Sequence, residues 1–72
     1  MPTAREARRE AIIRGLPEKT GRTIHQWAEY VRSKAPAGSR EERIRWLERE
    51  HRIGRGQAAT IVDWVDQPGA AT

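Results

Sequence analysis

Between Glu50 and Val62 the chain reads EHRIGRGQAATIV, and its Gly-x-Gly turn holds the residue types that point most directly to chemistry. A glycine turn that opens a helix presents unpaired backbone N–H groups and the positive end of the helix dipole, which suits a phosphate. Arg52 and Arg55 flank Gly54, Gly56 and Gln57 follow in the first amides of the next helix, and Arg49 lies one turn back. Trp46 stands among Arg43, Arg45 and Arg49. A tryptophan so placed can stack on a base or on a partner's side chain, or form the rim of the core beneath arginine stems. Arg52, Gly54, Arg55, Gly56, Gln57, Trp46 and Arg49 are therefore the candidate phosphate or nucleic-acid contacts. The alternative is a plain corner, in which Gly54 closes one helix in a left-handed conformation and Gly56 lets the next begin.

Other chemistry has little to work with. The chain has two histidines and no cysteine, so thiolate nucleophiles, disulfides and cysteine zinc sites are excluded. A triad written from His51, Asp63 and Ser39 is only a spacing match. A chain of 72 residues is too small to shield a reacting group from water, so neither an enzyme, a metal site nor a cofactor is expected. His25 is expected at the surface, and His51 is expected to cap carbonyls or pack beneath the turn. MPTAREARRE has no apolar segment after its charges, and no stretch approaches the roughly 20 apolar residues of a membrane span. The expectation is a cytoplasmic protein without membrane contact, monomeric or weakly dimeric.

Net charge is +4, and twelve of the fourteen basic residues are arginine. Residues 1–14, 16–38 and 40–56 each carry +2, and the segment from Gln57 onward carries −2. Such a spread favours a polyanion only weakly. Part of it belongs to a solvated face with ion pairs such as Glu41 with Arg45 and Glu48 with Arg52, four residues apart on one helix.

The elements that would position these residues are helices. Ser/Thr-x-x-Glu/Gln occurs three times, as Thr3 with Glu6, Thr23 with Gln26 and Ser39 with Glu42. In this pattern the hydroxyl and the acid or amide side chain satisfy two orphan N–H groups reciprocally. Helical apolar spacing follows. Ile24, Trp27, Ala28, Val31 and Ala35 form one stripe, Ile44, Leu47 and His51 a second, and Ala58, Ile61, Val62 and Val65 a third with Trp64 at its edge. Trp27 and Trp64 are expected to anchor the core. Gly15 and Pro17 should stop the first helix, Thr20-Gly21 should reverse the chain, and Leu16 should pack back on the core. The prediction is an all-α fold: a small compact bundle of three core helices, about Thr23–Lys34, Ser39–His51 and Gly56–Asp66, with an additional N-terminal helix near Thr3–Arg14. Residues 1–15 read as a basic helix whose apolar face is mainly Ala4, Ala7, Ala11 and Ile12, one reading of which is a partly mobile arm. Residues 16–66 read as the helical domain and 67–72 as a disordered tail.

Two resemblances rest on these residues. TGRTIHQW followed by RIRWLEREHRIGRGQA resembles the small bacterial family called domain of unknown function 4287, through Thr20, Gly21, Thr23, Trp27, Trp46, Leu47, His51, Gly54, Gly56 and Ala58. The resemblance spans about Leu16 to Val65 and implies a compact helical domain and no activity. Arg52, Arg55 and Ala59 depart from it, standing where the family usually has Gly, His and Asn. More locally, Ile53, Gly54 and Ala58 resemble the helix-hairpin-helix motif of sequence-independent DNA-binding proteins, with Arg52 in place of its first glycine. The function expected is a non-catalytic module that binds DNA or RNA through backbone phosphates. The competing expectation is a protein-interaction or regulatory module that meets a protein partner through the first helix.

Overall fold

The computed structural model describes residues 3–66, so the predicted disordered tail lies outside the described residues. Among those residues it contains four helices and no strand: α1 Ala4–Thr20, α2 Ile24–Lys34, α3 Arg40–His51 and α4 Arg55–Asp66. The three predicted capping boxes are all formed. Thr3, Thr23 and Ser39 each accept from the third amide of their helix, and Glu6, Gln26 and Glu42 each accept from the cap N–H. Local chemistry therefore sets three of the four starts.

The core gathers the predicted stripes. Leu16, Ile24, Trp27, Val31, Ile44, Leu47, Ala58, Ile61 and Val62 form one buried cluster. The last helix, α4, packs against each of the other three and supplies the middle of the domain. Val65 is half-buried against the cluster, as is Trp64. Trp64 is thus a rim residue rather than a core anchor. Its indole meets the His25 ring edge-on at 5.5 Å, and Arg9 lies 5.8 Å above it. Only Trp27, 2% exposed, plays the part expected of both.

The first helix corrects the sequence reading. It does not stop at Arg14 but runs through Gly15 and Pro17 to Thr20. A proline in a helix interior costs about 3 kcal/mol by steric clash and a lost hydrogen bond. That cost is outweighed here because the extra turn places Leu16, fully buried, in the core. The helix ends instead at Gly21, whose φ of 80° is left-handed and whose N–H donates to the Pro17 carbonyl at 3.0 Å. The docking face moves accordingly. Ala4, Ala7 and Ala11 are exposed, whereas Ile12 and Ile13 are half-buried and Leu16 is buried.

Gly15 lies inside α1, and a Cβ added there would meet nothing within 4 Å. Gly15→Ala is expected to stabilise the domain by about 0.5–1 kcal/mol, by limiting the unfolded chain and favouring the helix. Chemical denaturation checks it; a loss of stability would mean that the helix does not pass through this residue.

Candidate functional site

The reversal between α1 and α2 is built around one hydroxyl. Thr20 Oγ1 donates to the Leu16 carbonyl at 2.7 Å and accepts from the Trp27 Nε1–H at 2.8 Å and the Arg22 N–H at 3.3 Å. One donor and two acceptor positions exhaust a threonine hydroxyl, so the turn is tied to the core through Trp27. The Arg22 guanidinium then sits over two aromatic rings set nearly perpendicular to each other, 4.4 Å from the Tyr30 centroid and 4.9 Å from that of Trp27. A guanidinium held over rings by cation–π attraction has donors left for an anion.

Beneath it Trp27, Tyr30, Trp46 and His51 form an aromatic cluster joining α2 to α3. Tyr30 and Trp46 are stacked, with centroids 5.8 Å apart and planes at 17°. The His51 ring stands edge-on to Trp27, Tyr30 and Trp46 at 5.1, 5.0 and 5.7 Å, and its Nε2 lies 3.0 Å from the Tyr30 hydroxyl. Of the two expectations for His51, packing beneath the turn is the one realised. His25 is at the surface, as expected.

The α3–α4 turn is tight but differs from the expected corner. The left-handed residue is Arg52, at φ 52° and ψ 39°, and not Gly54. Gly54 serves as the cap of α4: its carbonyl accepts from the Ala58 N–H at 2.9 Å, and its N–H donates to Gln57 Oε1 at 2.9 Å. A glycine has no side chain to accept from the next amides, so α4 lacks the hydroxyl cap of the other three helices. Gly56 lies within the first turn of α4 against α1, where an added Cβ would come within 3.7 Å of Ile12 Cδ1.

The two turns face each other across an open cleft of about 380 Å³. Lys19, Thr20, Gly21 and Arg22 form one wall, Arg52, Ile53 and Gln57 the other, and Trp27 and His51 the floor. Three cations line it and no carboxylate does. Ion pairing sharpens the contrast. Arg40 grips Asp63 with two hydrogen bonds of 2.7 and 3.1 Å, and Arg43, Arg45, Arg49 and Arg55 also have carboxylate partners. All five lie on α3 or α4. Lys19, Arg22 and Arg52 have no carboxylate within 4.0 Å among the described residues.

The seven predicted contacts are therefore divided. Arg52 and Gln57 line the cleft, Gly54 caps α4, and Gly56 faces α1. Arg55 turns away, donating to Glu41 at 2.8 Å and lying 3.7 Å from Glu48. That hydrogen bond holds the Glu41 carboxyl below the ordinary carboxylate range. Of the two predicted helical pairs, Glu41 with Arg45 is present at 3.9 Å. Glu48 instead meets Arg55, because Arg52 has left the helix. Trp46 and Arg49 sit in a separate hollow with Pro36, Glu42 and Arg45. Sequence reasoning missed Lys19 and Arg22 as partners of Arg52. The available signal was a second basic glycine turn, KTGR, of the same kind as RIGRG.

The chain belongs to the family described as Domain of unknown function (DUF4287), whose family model matches residues 9–67. The match begins within α1, ahead of the Leu16 limit of the sequence resemblance. No curated protein and no solved structure matches the chain. No helix among the described residues is long and apolar enough to cross a membrane.

Proposed function

We propose that this domain is a non-catalytic module that binds nucleic acid through backbone phosphates held in the cleft between the two glycine turns. The observation that carries the reading is the convergence of Lys19, Arg22 and Arg52 on a hollow with no lining carboxylate, while the arginines of α3 and α4 named above are paired. Cations that neutralise phosphates release the counterions condensed on the DNA, and the gain on release makes affinity fall with salt by a log–log slope of about −0.9 per phosphate on duplex DNA. Three cleft cations correspond to a slope of about −2.7. The contacts are to backbone, so affinity should be nearly independent of sequence.

Arg52 separates binding from folding. A non-glycine residue in the left-handed region carries roughly 1–2 kcal/mol of strain, and Arg52 is the only such residue described, at φ 52°. Arg52→Gly is expected to stabilise the domain by about 1 kcal/mol while weakening DNA binding and making its salt slope about 0.9 shallower. Thermal unfolding and fluorescence anisotropy with a DNA duplex measure both on one sample. A more stable variant that binds with the wild-type slope would remove Arg52, and with it the cleft, from the function.

A further inference from the structure

The register of α1 aligns a second group of cations with the cleft. Arg5, Ile12 and Lys19 are seven residues apart and so lie along one line of the helix, with Arg8 and Arg9 on either side of it. Glu6, Glu10 and Glu18 are turned roughly 100–140° from Arg5 and leave this line free of negative charge. Lys19 lines the cleft. Arg5, Arg8, Arg9 and Ile12 line a groove of about 270 Å³ between α1 and α4.

Neighbouring residues in the first turn of α4 border the two hollows, Gln57 the cleft and Gly56 the groove. Asp63 is the one carboxylate lining the groove, and Arg40 holds it with two hydrogen bonds. Arg5, Arg8 and Arg9 have no carboxylate within 4.0 Å among the described residues. The Arg9 Nε and Nη2 are buried with no hydrogen-bond partner among them. A partly desolvated guanidinium that meets only the Trp64 ring is costly, and a nearby anion offsets that cost by Coulomb attraction.

We infer that the phosphate site continues from the cleft along the α1–α4 groove, so that one nucleic-acid backbone is followed from Lys19 to Arg5. This rests on the reading of the cleft as a phosphate site and adds the kind of ligand: a polymer, not a mononucleotide or a terminal phosphate. At a rise of 1.5 Å per residue the track is about 21 Å long. At about 3.4 Å of axial rise per base pair of duplex DNA, that span is the length of about six base pairs.

The test is the salt dependence of binding to a fluorescent DNA duplex of about 12 base pairs, long enough to cover the track. Wild type, with six cations along cleft and groove, is expected to show a slope of about −5, and the variant R5Q/R8Q/R9Q, with three, a slope of about −3. Circular dichroism confirms that the variant is folded. If it does not fold, the wild-type slope alone decides, because a value near −3 already confines binding to the cleft. A folded variant with the wild-type slope overturns the track and leaves the cleft reading standing. No binding by wild type at low salt overturns both. A variant that keeps the DNA slope but loses binding to poly-L-glutamate would also overturn the track, and would assign the α1 face to an acidic protein segment instead.

Discussion

Trp27→Ala is expected to leave the chain largely unfolded at room temperature. Removing a buried aromatic side chain costs about 3–5 kcal/mol, by lost transfer free energy and the cavity left behind. A domain of this size holds a net stability of only about 3–5 kcal/mol, so the loss takes most or all of it. Trp27 has few means of relaxing into the gap around it. It is 2% exposed, its indole N–H is bound to Thr20 on the preceding turn, and its ring supports both His51 and Arg22. Loss of the ring therefore removes the floor of the cleft as well as the centre of the core. Far-ultraviolet circular dichroism against denaturant measures the outcome. A cooperative transition within about 1 kcal/mol of wild type would mean that α3 and α4 hold the domain without α2.

What could be read from sequence, and what could not, divides by distance along the chain. The three capping boxes and the apolar stripes of α2, α3 and α4 depend on residues three or four apart, and each was formed as the spacing predicts. The end of α1 depends on tertiary burial. Local rules weigh Gly15 and Pro17 against the helix, and only the docking of Leu16 and the Thr20–Trp27 bond reverses that balance. The turn before α4 failed for a related reason. Glycine is the usual left-handed residue, but here Arg52 takes that position, and Gly54 becomes a cap closed by Gln57. The cleft was hidden because its walls come from turns some thirty residues apart. Arg55 was misplaced because Glu41, fourteen residues earlier, captures it across the α3–α4 seam. Charge near a glycine turn pointed to one wall of the cleft; only the fold sorted the arginines that face it from those already paired.

Thr20 is where the fold and the cleft depend on one atom, and Thr20→Val is expected to cost about 2 kcal/mol. Valine keeps the shape and loses the hydroxyl, so the Trp27 indole N–H is left in the interior without an acceptor. An unsatisfied buried donor of this kind costs about 1–3 kcal/mol. The Leu16 carbonyl loses its 2.7 Å donor and the Arg22 N–H its acceptor in the same change, which releases the KTGR wall from the aromatic floor. DNA binding should weaken even in the fraction that remains folded, because the turn that holds Arg22 over Tyr30 is no longer fixed. Thr20→Ser restores the hydroxyl and should recover most of both effects, with a small loss for the missing methyl. The Trp27 indole N–H resonance is the direct readout. It should shift and exchange faster with solvent in the valine variant and return toward its wild-type position in the serine variant. An indole resonance that is unmoved by valine would show that the Thr20 hydroxyl does not hold Trp27. Arg22 would then be positioned by ring stacking alone, and the rigidity of the cleft would have to come from the α3–α4 side.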